Sequence, residues 1–135
     1  MAESLRNNSL VCVTDGSYNK KKARNVCSAG WTMICRQSGR KISGTLVEVS
    51  PSADSYRGEM LGMLAIRLFL LAVEEYYGVI TVDNKICCNN KGVLFTFEKK
   101  SKRVPSGKAN TDILRVLQTI NSRTKSNFVQ RHIKL

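Results

Sequence analysis

The hydrophobic and polar positions divide the chain into short β-like runs before residue 50 and longer helical runs after it. Residues 10–14 form a short apolar, β-branched run that ends at the turn signal Asp15-Gly16-Ser17. Residues 25–36 and 41–49 predict two further strands, joined by a turn at Ser38-Gly39. The pattern therefore predicts an antiparallel meander of three strands.

The second half of the chain predicts helices that alternate with strands. Residues 55–77 are apolar nearly all round between 60 and 73, which is typical of a helix buried between layers, and Gly78 ends it. Residues 79–82 (V-I-T-V) are typical of a buried parallel strand closed by Asp83. Residues 85–97 and 111–122 predict two more helices, the latter with its N-cap within Asn110-Thr111-Asp112, and residues 128–133 predict a last strand. This order predicts an α/β fold, a mixed five-stranded sheet with antiparallel strands 1–3, then parallel strands, and helices packed on it.

Composition narrows the class of protein. The chain has 135 residues, enough for one domain over 1–135, and its 42% apolar content excludes wholesale disorder. We expect residues 1–8 to be flexible. No secretory signal or membrane-spanning run is visible, so we expect an intracellular location, cytoplasmic or nuclear. The net charge of +12 predicts a polyanionic partner, nucleic acid before an anionic membrane surface.

Cysteine and histidine offer little metal chemistry. The five cysteines include no C-x-x-C pair, and we interpret them as small buried hydrophobes in a reducing compartment. His132 is the only histidine, which excludes sites built from several imidazoles.

Three acids stand out at the ends of apolar elements: Asp15, Glu59 and Asp83. Converging carboxylates favour a divalent cation, because an unpaired buried charge is expensive. Each acid also has an ordinary interpretation. Asp15 suits a turn, Glu59 suits the first turn of a helix, and Asp83 suits an N-cap.

The three acids lie in segments that together resemble a known family. Residues 11–17 (V-C-V-T-D-G-S), 56–61 (Y-R-G-E-M-L) and 82–85 (V-D-N-K) resemble the first three motifs of ribonuclease H, in the form similar to the RNase H domains of retroelement reverse transcriptases. The resemblance covers about residues 9–133. It implies an endonuclease that cuts the RNA strand of RNA–DNA hybrids with two Mg²⁺ ions (Mn²⁺ is an alternative), as part of a reverse transcriptase polyprotein. It also implies that Asp15, Glu59 and Asp83 bind the metal and that His132 assists proton transfer or product release.

The chain departs from this family at its C-terminal end. The family carries a fourth metal-binding Asp on a helix after the last strand, for which no residues remain here, and we interpret Asp112 as an N-cap rather than a substitute ligand. Either the chain is a truncated piece or the element has been lost, and catalysis would be weakened. A missing helix would expose apolar sheet surface, which predicts dimerisation or poor solubility.

Basic residues near the acids predict a surface that binds phosphates without reading sequence. A nuclear localisation signal is the alternative for the first cluster. Trp31 is predicted to be a core residue, whereas Tyr56 is a candidate for base stacking. The candidate nucleic-acid-binding residues are Gly16, Ser17, Lys20, Lys21, Lys22, Arg24, Asn84, Lys85, Lys99, Lys100, Lys102 and Arg103.

Two alternatives to a hybrid-specific ribonuclease remain open. One is a catalytically weak or inactive module that binds nucleic acid on the same fold. The other is a related nuclease or transposase that acts on DNA.

Overall fold

The computed structural model describes residues 1–81, 83–98 and 110–133. A five-stranded mixed sheet has the strand order β3-β2-β1-β4-β5, with antiparallel β1–β2 and β2–β3 pairs and parallel β1–β4 and β4–β5 pairs. The predicted architecture is confirmed. The elements are α1 (Ala2–Arg6), β1 (Leu10–Tyr18), β2 (Val26–Cys35), β3 (Lys41–Val49), α2 (Ser55–Tyr77), β4 (Lys85–Cys88), α3 (Lys91–Glu98), α4 (Thr111–Arg123) and β5 (Val129–His132).

Helix α2 lies directly against β1 because small residues line the contact. A Cβ atom added to Gly16 would lie 2.6 Å from the Glu59 backbone nitrogen, and one added to Gly62 would overlap the Thr14 hydroxyl. Asp54 caps the helix by accepting a hydrogen bond from the Arg57 N–H at 2.6 Å. These contacts fix the first turn of α2, and with it Glu59, over the middle of β1.

The apolar core fills the space between one face of the sheet and the helices. Leu10 and Cys12 of β1 contribute to it, as do Met63 and Ile66 of α2 and Leu117 of α4. The prediction that α2 is buried is confirmed. Among the described residues, no helix is long and apolar enough to cross a membrane.

The predicted fourth strand at residues 79–82 is wrong. Residues 79–81 form no strand, and β4 is instead Lys85–Cys88, inside the segment predicted to be a helix, which begins only at Lys91. Asn84 explains the shift: its side chain is fully buried, accepts a hydrogen bond from the Leu10 N–H at 2.9 Å and donates one to the Leu5 carbonyl at 2.9 Å. These bonds hold the segment before β4 beside the start of β1.

Two other segments depart from the local signals in the sequence. Within residues 1–8, α1 places Leu5, 2% exposed, in the core, and the flexibility of this segment stays a prediction. Asp15-Gly16-Ser17 is not a turn, because β1 continues to Tyr18 and pairs these residues with Gly30, Ala29 and Ser28. In both cases tertiary packing overrides a local signal.

Candidate metal and nucleic-acid site

Asp15 and Glu59 come together where α2 crosses β1. The Gly16 N–H donates to the Glu59 carboxylate, and the Asp15 carboxyl lies within hydrogen-bonding reach of it. Glu59 is buried and Asp15 exposed. Burial is the main cause that raises the pKa of Glu59, and the charge of Asp15 raises it further. The structure therefore places Asp15 and Glu59 side by side, and their role as metal ligands stays a prediction.

Asp83 does not join this pair. In the parallel register Val11 lies beside Lys85 and Thr14 beside Cys88, so Asp83 precedes β4 instead of closing a strand. Six positions separate Asp83 from the residue level with Asp15, which corresponds to about 20 Å of extended chain. Among the described residues, no three His, Cys, Asp or Glu side chains cluster closely enough to hold a metal ion. The predicted three-carboxylate site is not formed, because the strand that would have carried Asp83 to this edge lies elsewhere.

Asn84 and Lys85 are likewise misplaced by the sequence prediction. Asn84 is 0% exposed and its amide is engaged in the protein interior, so it is inaccessible to nucleic acid. Lys85 begins β4 at the same end of the sheet as Asp83, away from the carboxylate pair. Neither residue flanks the acids as predicted.

Asn89 stands where a third acid was expected, and sequence reasoning missed it. It follows Cys88 directly and is therefore level with Asp15, one position beyond the Thr14–Cys88 pair. Its Oδ1 is buried and has no hydrogen-bond partner in the described structure. The available signal was the run Ile86-Cys87-Cys88, a short apolar strand that ends in Asn89-Asn90.

His132 lies beside the same edge. It pairs with Cys88 in the β4–β5 register, and its Nε2 lies 3.1 Å from the Asn89 carbonyl. A carbonyl only accepts a hydrogen bond, so His132 Nε2 is the donor and Nδ1 takes no part in this contact. The prediction that His132 lies near the site agrees with this placement, while its chemical role stays a prediction.

Arg57 ties the site to two other elements. Its buried guanidinium pairs with Glu48 of β3 and with Asp112 of α4, where Nη2 lies 2.7 Å from Oδ2. Arg57 also donates to Asn110 at 3.0 Å. The hydrogen bonds that Arg57 donates to Asp112 lower the pKa of Asp112. Asn110, not Asp112, occupies the N-cap position of α4, so the N-cap interpretation of Asp112 is wrong and its role is an ion pair.

One predicted basic cluster lies at the same end of β1 as Asp15. Lys20, Lys21, Lys22 and Arg24 are exposed in the β1–β2 connection. Asn19 Oδ1 accepts from the Lys21 N–H at 3.1 Å, and this bond shapes the loop. The second predicted group lies outside the described residues: Lys99, Lys100, Lys102 and Arg103.

The remaining predictions near the site have mixed outcomes. Gly16 packs against α2 and supplies its N–H to Glu59, whereas Ser17 is exposed two positions beyond Asp15. Trp31 packs against the core and Phe69, with ring centroids 5.8 Å apart, as predicted. The Tyr56 hydroxyl lies 2.9 Å from that of Thr96 and ties α2 to α3, so base stacking by Tyr56 stays a prediction.

Comparison with solved structures identifies the architecture as the ribonuclease H fold. RNase H1 of Halobacterium salinarum NRC-1 superposes with a TM-score of 0.57 at 14% identity, over 92% of this chain and 84% of that one. LC11-RNase H1 in complex with an RNA/DNA hybrid gives a TM-score of 0.63 at 13% identity, over 92% and 84%. The foamy viral protease-reverse transcriptase in complex with dsDNA gives 0.62 at 8% identity, over 97% and 86%. No protein-family model and no curated protein sequence matches the chain.

The metal ions that the sequence resemblance implies can be compared with the donors present. Two carboxylates and the unpartnered amide oxygen of Asn89 are hard oxygen donors of the kind Mg²⁺ and Mn²⁺ take. The chemistry of these three donors suits one divalent cation, and its binding here stays a prediction. Two divalent cations at this edge would have only the two negative charges of Asp15 and Glu59 between them, which disfavours binding of a second ion.

Proposed function

We propose that the chain is a ribonuclease H-fold domain that binds RNA–DNA hybrid or a similar duplex and hydrolyses it weakly or not at all. The observation that carries this proposal is Asn89, a neutral amide at the position level with Asp15. Two metal ions beside a phosphate need concentrated negative charge from the protein. With a neutral third donor, the site keeps the placement of a nuclease site and loses much of its charge.

The charge distribution supports a duplex as the partner. The exposed cations of the β1–β2 connection lie at the end of the sheet that carries Asp15 and Ser17. Such a surface contacts phosphates and sugars without reading base sequence, and 2′-hydroxyl contacts distinguish RNA from DNA. Hybrid is the first choice because solved neighbours of the same fold include complexes with RNA/DNA hybrid.

The residues at this edge have separate tasks in the proposal. Asp15, Glu59 and the Asn89 amide oxygen would hold one Mg²⁺ or Mn²⁺ ion. When bound, such an ion neutralises phosphate charge and lowers the pKa of water. The Gly16 N–H orients the Glu59 carboxylate, and His132 supports the turn after β4 by donating to the Asn89 carbonyl.

A second candidate function is metal-dependent hydrolysis of the RNA strand, as a domain of a reverse transcriptase polyprotein. The retained Asp15–Glu59 pair favours it, because two adjacent carboxylates are costly to keep unless they bind a cation. His132 Nδ1 would then take or return a proton at the exposed side of the site.

Binding and cleavage of a labelled hybrid separate the two candidates. We expect the wild type to bind hybrid with a steep salt dependence and to cleave it slowly with Mg²⁺ or Mn²⁺. Replacing Lys20, Lys21 and Lys22 by Ser should lower the slope of log K against log salt by about 3. Ser at Lys41, Lys85 and Lys125 removes the same charge elsewhere and should change the slope much less. Absence of hybrid binding would overturn the proposal.

Asn89→Asp tests the missing charge directly. It should raise Mg²⁺-dependent cleavage by about tenfold or more, since it supplies a third carboxylate level with Asp15. Asn90→Asp is the matched control, because Asp also caps a helix and Asn90 Oδ1 accepts from the Val93 N–H. If the wild type already cleaves as fast as Asn89→Asp, the second candidate replaces the first.

A further inference from the structure

A cleft of about 780 Å³ lies at the end of the sheet where β1 begins. Its walls come from α1, from the start of β1 and from the turn that joins β2 to β3, and the buried Leu10 and Met33 supply its apolar surface. Asp15 lies about 17 Å of extended strand beyond Leu10, so the cleft is separate from the carboxylate pair. Clefts of roughly 300–1,000 Å³ are those that take small molecules.

Hydrogen-bond donors converge on the Cys35 sulfur, which lines this cleft. The hydroxyl and N–H of Ser38 and the hydroxyl of Ser4 lie within hydrogen-bonding reach of Sγ, and the Ser9 hydroxyl lies 3.7 Å from it. The Ser38 hydroxyl oxygen accepts from the Arg40 N–H at 3.2 Å, so its own hydrogen is free to point at the sulfur. These donors stabilise the thiolate and lower the pKa of Cys35 to about 6. The half-buried thiol is therefore largely ionised at pH 7.

The other four cysteines compete poorly for the same chemistry. All four are buried, and burial is the main cause that raises the pKa of each: Cys12, Cys27, Cys87 and Cys88. A nucleophilic reaction of the folded protein at neutral pH is therefore directed to Cys35. A group attached there would stay in place until an external thiol removes it, because no other cysteine is accessible to displace it.

The charged residues of the cleft define the kind of molecule that would react. Arg40 and Lys41 line its β3 side and Glu3 lines its α1 side, and all three are exposed. Two cations and one carboxylate complement a small peptide that carries carboxylates together with an ammonium group. We propose that Cys35 is a modification site, where the cleft seats a small peptide disulfide bearing carboxylates and the Cys35 sulfur forms a mixed disulfide with it.

The exchange needs no oxidant other than the disulfide itself. The Cys35 thiolate attacks one sulfur of the disulfide, a new S–S bond forms as the old one breaks, and the other half leaves as a thiolate that takes a proton from water. Cys35 is oxidised and the leaving half is reduced. An excess of small thiol reverses the reaction, which makes the adduct a reversible cap. No residue of the carboxylate site takes part, so the reaction is independent of hybrid binding and hydrolysis.

The test measures the rate of adduct formation on the full chain at pH 7 by intact mass spectrometry, with a charged and a neutral disulfide. Glutathione disulfide carries carboxylates and ammonium groups, whereas bis(2-hydroxyethyl) disulfide is neutral. Arg40→Ser with Lys41→Ser should slow the reaction with glutathione disulfide by about fivefold and change the rate with the neutral disulfide by less than about twofold. Lys91→Ser with Lys125→Ser removes the same charge from exposed positions outside the cleft and should leave both rates nearly unchanged.

A ligand that lacks a disulfide tests the seating of the peptide separately from the exchange. An excess of S-methylglutathione should slow the reaction of the wild type with the neutral disulfide, and should protect the Arg40→Ser, Lys41→Ser variant much less. Peptide mass mapping should find the adduct on Cys35, and Cys35→Ser should eliminate it. An adduct on another cysteine, equal slowing by the two double variants, or no protection of the wild type by S-methylglutathione would overturn the proposal.

Discussion

The two ends of the β1–β4 pair bury polar groups in opposite ways. At the end where β4 begins, the Asn84 amide bonds Leu10, Leu5 and Thr81. At the end where β4 stops, Glu59 is buried beside Asp15, and the Asn89 oxygen has no partner among the described residues. The Asn84 amide is fully engaged at one end, whereas the Asn89 oxygen is left without a partner at the other.

This difference indicates that the Asn84 end of the sheet stabilises the fold, whereas the Asp15 end is suited to binding. A completed buried network stabilises the fold, because each donor finds an acceptor that replaces water. Unsatisfied buried oxygens and a carboxyl with a raised pKa are costly, and such groups concentrate at binding sites. The ends should therefore respond to substitution in opposite directions.

The largest effect is expected at the completed end. Asn84→Ala should lower the free energy of unfolding by about 3 kcal/mol, because it leaves the Leu10 N–H and Leu5 carbonyl buried without partners. Chemical denaturation followed by circular dichroism measures the change.

Asn89→Ala is the matched control at the other end. It removes an oxygen that bonds nothing in the described structure, so the unfolding free energy should change by less than about 1 kcal/mol. Equal losses for the two variants would erase the distinction between the ends.

The sequence correctly predicted that Asp15 and Glu59 lie together, but it wrongly placed Asp83 beside them. Asp15 and Glu59 sit in long elements whose patterns are strong, and their meeting follows from the fold. Asp83 follows the apolar run 79–82, and a second short apolar run, residues 86–88, competes with that run for β4. Periodicity cannot rank two runs of three or four residues.

The decision between those runs rests on a tertiary contact. Asn84 forms hydrogen bonds with Leu10 and Leu5, which precede it by 74 and 79 positions in the chain. No local sequence pattern predicts these bonds. The same applies to Arg57, which joins Glu48 to Asp112 across three elements. The mixed strand directions and the burial of α2 were predictable, whereas the strand register and the identity of the third site residue were not.

A smaller effect is expected in the pH dependence of stability. Burial raises the folded-state pKa of Glu59 above its ordinary value of 4.5, so the folded protein holds this proton more tightly than the unfolded chain does. Its contribution is fully present below pH 4.5 and is lost as pH rises through the folded pKa. Glu59→Gln should remove that decline above pH 4.5.

Thermal unfolding scans of both proteins across pH 4 to 8, without divalent cations, measure this difference. Asp112→Asn is the contrasting variant. Its pKa is lowered by Arg57, so its contribution is lost as pH falls through the folded pKa. A Glu59→Gln profile parallel to that of the wild type would contradict the raised pKa at the site.

The smallest effect on stability is expected from alkylation of cysteine thiols, whose reactivity should differ between the two ends of the β1–β4 pair. Cys35 lies beside Leu10, and hydrogen bonds from Ser38 and Ser4 lower its pKa to about 6, whereas burial raises the pKa of Cys88 to about 11. At pH 7 the native protein should therefore react with one equivalent of iodoacetamide, at Cys35, with stability nearly unchanged. Peptide mass mapping identifies the site, and Cys35→Ser should abolish the rapid phase. Rapid labelling of Cys88 in the folded protein would show that the carboxylate end opens to solvent, and would remove the burial on which the raised pKa of Glu59 depends.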